Sequence, residues 1–156
     1  MSDCFPLILN VMLESIIEIQ KRSALYVANL NANIVRVIES NQDQIIDANR
    51  SQMIGHKDAE GKPLIHSRTG SANLSKAYAR RMNKIKPDLF VSGEFQSAMF
   101  LTMPKMEEYF ISSKDYKTNW LAKNYGNIFG VAPNNQPKVK AKNDKAIIDD
   151  YLTIFK

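Results

Sequence analysis

The chain has 156 residues, 44% hydrophobic and 24% charged, which excludes wholesale disorder and suffices for one domain with a real core. Its net charge is +5, from 21 Lys and Arg against 16 Asp and Glu, and a single cysteine, Cys4, excludes an internal disulfide and a multi-cysteine metal cage. No apolar run approaches the ~20 residues that span a bilayer, and no basic segment precedes the first one, so the expectation is a soluble, reduced-compartment domain without membrane contact.

The first third reads as helix. Pro6 suits a first turn, and Leu7, Ile8, Val11, Met12, Ile16 and Ile19 follow at three- and four-residue steps. Neither Gly nor Pro occurs between Leu7 and Ile54, room for one very long helix or two. Val27, Leu30, Ile34, Val37 or Ile38, and Ile45 continue near a 3.5-residue repeat, the spacing of a seam against another helix. Asn29, Asn31, Asn33, Asn41 and Asn49 weaken intrinsic helicity, so packing must hold the segment, and a neighbouring subunit is a candidate for the other side.

Gly55 stops the helix and Asp58–Lys62 is a turn. Pro63–His66 reads as a short extended piece. A helix over Leu74–Met82, capped by Ser71 or Asn73, ends before Pro87, and Gly93 marks a tight helical turn within Phe90–Phe95. Ser97–Met103 and Met106–Ser112 flank Pro104 and Lys105, the pattern of an antiparallel hairpin. Met99, Leu101 and Met103 fall on one face, and Ala98, Phe100 and Thr102 on the other. A helix follows from Tyr116 to Tyr125, capped by Asp115 or Ser113 and closed by Gly126. Pro133–Pro137 is a linker, and a last amphipathic helix presents Ala146, Ile147, Tyr151 and Ile154 or Phe155. Helices bracketing one hairpin define an α+β fold, with residues 1–132 as the domain and 133–156 as an arm that reaches a neighbouring copy. On this reading, removal of 133–156 leaves a folded, assembly-defective protein.

The charge comes in alternating blocks. Residues 1–55 hold four basic and six acidic groups (−2), 56–92 eight and three (+5), 93–115 two and four (−2), and 116–156 seven and three (+4). Such blocks can meet phosphates, an acidic protein surface or water. Lys76, Arg80 and Lys84 share a helix face at four-residue spacing, beside Arg81 and Tyr78, as a phosphate-tracking helix would. No helix-turn-helix, zinc or RNA-recognition signature accompanies them.

Signatures of catalysis are missing. The chain has no Gly-rich phosphate loop, no Gly-x-Ser-x-Gly and no His-Glu-x-x-His. His56 and His66 flank a turn that carries Asp58 and Glu60, a metal or acid–base arrangement in outline, although polar loop histidines are usually solvated. Cys4 has no base near it in sequence, and Glu107 and Glu108 point to opposite faces of a strand. No catalytic residue, metal site or cofactor is expected.

One stretch carries a family likeness. Asp58-Ala59-Glu60-Gly61-Lys62-Pro63-Leu64, then Gly70 through Ser75-Lys76-Ala77-Tyr78-Ala79, then Lys86-Pro87-Asp88-Leu89-Phe90-Val91-Ser92-Gly93-Glu94-Phe95-Gln96-Ser97-Ala98-Met99 resembles a pattern of tailed-phage virion proteins, the head–tail connector or tail-completion (neck) proteins of Bacteroidetes-type phages. Ser92 stands where Thr is frequent, and Asn73-Leu74 replaces an aromatic start. The resemblance implies a small α+β fold and a non-catalytic role in a six-fold or twelve-fold ring between portal and tail. Its partners are other copies, the portal, and neck or tail proteins, and it is assembled in the host cytoplasm and resident in the virion neck. Gly61, Gly70, Tyr78, Pro87, Leu89, Phe90, Gly93 and Phe95 form the family-like box, expected as shape-setting core anchors. Arg68, Lys76, Arg80, Arg81, Lys84 and Lys86 are the candidates for an acidic partner or for sequence-independent contact with DNA in the lumen, with Lys138–Lys142 second. The alternative function is a small nucleic-acid-binding protein using the basic helix, and a third is an enzyme built on His56 and His66.

Overall fold

In the computed structural model, which describes residues 4–90, 92–105 and 108–156 (the side chains of 4–12 and 105 excepted), two asparagines divide the N-terminal third into three helices. They are α1 (Cys4–Ala28), α2 (Leu30–Ser40) and α3 (Gln42–Ile54), where the sequence suggested one or two. Asn29 and Asn41 interrupt them with φ −109°. Each amide side chain donates to a carbonyl four residues back, Asn29 to Leu25 at 2.9 Å and Asn41 to Val37 at 2.8 Å. That side-chain bond shares the carbonyl with the backbone N–H of the same asparagine, 3.2 Å from Leu25 O and 3.1 Å from Val37 O, and accompanies the local departure from helical geometry.

The core is built on α3. Ile45, Ile46, Asn49, Gln52 and Met53 form its buried face at helical spacing. They meet the hairpin of β1 (Met99–Lys105) and β2 (Glu108–Ser113), antiparallel in the register Leu101 opposite Ile111, with an irregularity between Thr102 and Lys105. Met99, Leu101 and Ile111 are buried, while Thr102 and Phe110 are exposed, so the expected alternation of faces holds. β1 begins two residues later than the alternation suggested, because Glu94–Ser97 form a helical turn. Pro104 and Lys105, expected as the turn, belong to β1 instead, and Met106 and Glu107 lie outside the described residues.

Two short helices follow the Gly55 turn. Residues Lys76–Met82 form α4, with Ser75 Oγ accepting from Tyr78 N, so the cap is neither Ser71 nor Asn73. Glu94–Ser97 form α5, and α6 spans Thr118–Tyr125. Leu121 of α6, Ile128, Val131, Leu64 and Phe95 complete the core.

Residues 128–132 are fixed to α3 by two buried amides. Asn49 Nδ2 donates to Ile128 O at 2.9 Å and to Gly130 O at 2.7 Å. Gln52 Nε2 donates to Gly130 O at 2.6 Å, and its Oε1 accepts from Ala132 N at 3.0 Å.

The C-terminal segment differs from expectation. Helix α7 (Gln136–Leu152) and a 3-10 turn (Thr153–Phe155) lie against α1, α2 and α3 of their own chain, rather than extending as an arm toward a neighbour. A polar latch fixes them. Asp150 Oδ2 accepts from Tyr26 Oη at 2.9 Å and from Arg36 Nη2 at 2.7 Å, and Ser23 Oγ lies 3.0 Å from Tyr151 Oη. The Tyr26 and Tyr151 rings meet edge to face at 5.3 Å. Burial of the Tyr26 phenol, reinforced by its bond to Asp150, holds its pKa above the ordinary tyrosine value. No helix among the described residues is long and apolar enough to cross a membrane.

Candidate functional site

Two uncovered apolar features stand out, one on α1 and one on the opposite sequence half of the molecule. Along α1, residues 13–18 are exposed on every side, Leu13, Ile16 and Ile17 included. At 3.6 residues per turn, Leu13, Ile16, Ile17, Gln20, Ala24 and Val27 fall within an arc of about 100°, the width of a core-facing stripe. All six are exposed. The helix is fixed through a neighbouring face, at Ser23 and Tyr26. Glu14, Glu18, Lys21 and Arg22 occupy the far side, with Glu18 and Arg22 paired at 3.3 Å. The stripe is therefore amphipathic helix without a second layer.

The other feature is a cleft of about 480 Å³ between α4, the 84–93 loop and α6. Its wall is aromatic: His66, Tyr78, Phe90, Phe95, Trp120 and Tyr125. The His66 and Tyr125 rings meet edge to face at 5.4 Å, and burial keeps the Tyr125 phenol above its ordinary pKa. Gln96 is buried in this wall, where its Nε2 donates to Leu89 O at 2.7 Å while its Oε1 has no hydrogen-bond donor. Trp120 is 57% exposed at the mouth, and Phe90 is 42% exposed.

The family-like box gathers here. Tyr78, Pro87, Leu89, Phe90, Gly93 and Phe95 all line the cleft, whereas Gly61 and Gly70 do not. Pro87, Leu89 and Phe95 are buried, as core anchors should be. Phe90 and Tyr78 are not, and their rings form cleft surface, which corrects the expectation of a uniformly structural box. Gly93 takes φ 83°, and a Cβ there would come 3.2 Å from the Phe90 ring, so its bareness sets the position of that ring.

The candidate cations separate into three groups. Lys84 was expected on one helix face with Lys76 and Arg80, but α4 ends at Met82 because Asn83 turns to φ 51°. Beyond that break, Lys84 Nζ is committed internally, 2.7 Å from Asp88 Oδ2 and 2.9 Å from Phe90 O. Arg81 stacks on Tyr78 with its guanidinium carbon 4.8 Å from the ring centre, which places it beside the cleft. Ser75, Tyr78 and Met82 form the cleft-facing side of α4, so Lys76 and Arg80 project from the opposite side. Neither of them makes an ion pair among the described residues, and Arg68 and Lys86 are likewise exposed and unpaired. In the tail, Lys140 pairs with Asp144.

The two histidines do not meet in a common site. His56 Nδ1 lies 3.1 Å from Pro87 O, and His66 Nδ1 accepts from Arg68 N at 3.2 Å. Asp58 Oδ1 accepts from the Glu60 and Lys62 backbone, closing the turn between them. Among the described residues, no group of three or more His, Cys, Asp or Glu is placed to hold a metal ion. Trp120, Tyr125 and Gln96 are the site residues that sequence reasoning missed. Only the aromatic density of Trp120–Tyr125 signalled them, since the fold alone brings that helix beside Tyr78.

Comparison with protein-family models, curated proteins and solved structures found no match to this chain.

Proposed function

We propose that this protein is a non-catalytic assembly subunit that works by packing against copies of itself and against other virion proteins, in the head–tail connector or tail-completion ring of a tailed phage. The observation that carries the assembly reading is the stripe on α1, where Leu13, Ile16 and Ile17 are about half exposed on a helix with no layer over them among the described residues. A lone globule gains nothing from such a surface, whereas burial of the exposed half of each aliphatic side chain at an interface contributes about 0.8–1.5 kcal/mol. The phage assignment rests on the sequence resemblance through the Tyr78–Phe95 region. Static light scattering after size exclusion tests the assembly reading: a ring-sized oligomer is expected, alone or on addition of a portal ring. A strictly monomeric protein that ignores both would refute it.

A second reading has its own support. Lys76 and Arg80 project together from α4, away from the cleft and without ion-pair partners, beside exposed Arg68 and Lys86. Such a face suits sequence-independent phosphate contact. A monomer whose affinity for duplex DNA falls steeply with salt, and which loses it on Lys76→Ala and Arg80→Ala, would favour this reading over the first.

A further inference from the structure

We infer that the α1 stripe of one copy docks in the aromatic cleft of the next, so that the subunits join head to tail. The inference deepens the assembly reading and rests on it.

The stripe and the cleft are the two large uncovered apolar features described above, and they do not meet within one chain, since none of the described side chains of α1 lines the cleft. Their chemistry is complementary. Leu13, Ile16, Ile17 and Gln20 stand at i, i+3, i+4 and i+7, the spacing with which an amphipathic helix anchors in an apolar groove. The cleft offers aromatic faces and a mouth framed by Phe90 and Trp120.

Charge points the same way. Residues 4–20 contain Glu14 and Glu18 and no cation. The cleft is built mostly from the +5 block of residues 56–92, together with Gly93, Phe95 and Gln96 of the acidic block that follows and with α6, which adds Lys123 and is preceded by Lys117. Of these, Arg81 stands at the cleft and Lys86 is exposed on the adjoining loop, whereas Lys117, which lines the cleft, lies 3.8 Å from Glu94. Glu14, outside the Glu18–Arg22 pair, is therefore drawn at longer range toward Arg81 and Lys86, while the stripe on the other side of the helix is held by apolar contact.

Geometry permits the exchange. Residues 4–20 of α1 precede the latch at Ser23 and Tyr26, so about 25 Å of helix lies beyond the point where α1 is fixed. A contact between two different surfaces is heterologous, and repetition closes a ring if the rotation allows or grows a filament if it does not. Pairing of two α1 stripes would instead give an isologous dimer and leave both clefts empty.

Cross-linking separates these cases. In a Cys4→Ser background, chains carrying Ile17→Cys are mixed one to one with chains carrying Trp120→Cys under mild oxidant. The expected product is a 17–120 linked heterodimer. Products linked only 17–17 or 120–120, or no cross-link, would overturn the inference. Oligomer mass is read in parallel on Leu13→Glu/Ile17→Glu and on Tyr78→Ala/Trp120→Ala, with circular dichroism confirming the fold. Each variant should weaken self-association at least ~100-fold, and a mixture of the two should recover one contact and stop at a dimer. Undiminished rings in both variants would refute the helix-in-cleft contact while leaving the assembly reading intact. A wild-type chain that stays monomeric on its own and with a portal ring would refute both.

Discussion

Replacing Asn49 by Leu should cost about 2 kcal/mol, and the reason lies in how α3 fixes the 128–132 segment. Asn49 is fully buried. Its Nδ2 is the donor to Ile128 O, and it shares Gly130 O with Gln52 Nε2. Leucine is of similar size, so little cavity forms, but Ile128 O loses its donor, worth about 1–3 kcal/mol for a buried acceptor. Gly130 O keeps Gln52. Loss of Asn49 Oδ1, which has no partner, offsets a little. Gln52→Leu should cost a similar ~2 kcal/mol, because Ala132 N loses its acceptor. In the double variant Gly130 O has neither donor, so the two changes should exceed their sum by about 1 kcal/mol. Urea denaturation measures the cycle, and calorimetry should show a fall of about 4–8 °C for each single variant. Strict additivity, or single effects under ~0.5 kcal/mol, would refute the shared-acceptor account.

Other expectations follow from single positions. Gly93→Ala should destabilise by about 1–2 kcal/mol, from its left-handed backbone and from the approach to Phe90, with a lower denaturation midpoint as the readout. The Tyr26 pKa is raised in the folded protein, so its contribution is complete below the ordinary tyrosine value of about 10 and lost as pH climbs beyond it. Stability measured from neutral to strongly alkaline pH should fall in that upper window, and Tyr26→Phe should flatten the fall. Deleting residues 133–156 should now unfold or loosen the N-terminal helices, because it removes Tyr151, Asp150 and Ile154 from α1 and α2. A deletion variant with wild-type circular dichroism and cooperative melting would contradict the intrachain docking of α7.

What could be read in advance was whatever repeats at a fixed period. Met99, Leu101 and Met103 alternate with Phe100 and Thr102, and that pattern placed the inner and outer faces of the hairpin. Gly126 closes α6 as its local pattern indicates, whereas the helix starts at Thr118 with Lys117 at its cap, not Asp115 or Ser113. The interruptions at Asn29 and Asn41 were not legible, although the asparagines were counted, because an i−4 side-chain bond is one of several that an exposed asparagine can make. Nor was the docking of α7. Its apolar positions were visible, but the latch joins Tyr26 to Asp150 across 124 residues, and no local spacing encodes it. The cleft failed for the same reason: Tyr78, Phe90 and Trp120 come from three segments. Lys84 was misplaced by assuming that a helical spacing continued past Asn83. The one long-range property that did carry over is the surplus of apolar surface near the N-terminus, which composition and period made visible and which the structure places on α1.

The account stands on that surface being shared. Hydrogen–deuterium exchange of residues 13–20, followed with rising protein concentration alongside mass by light scattering, tests it most directly. Protection of these amides should grow together with oligomer mass, because burial of the stripe holds an otherwise fraying helix. Rapid exchange at every concentration, with the mass fixed at that of one chain, would contradict it.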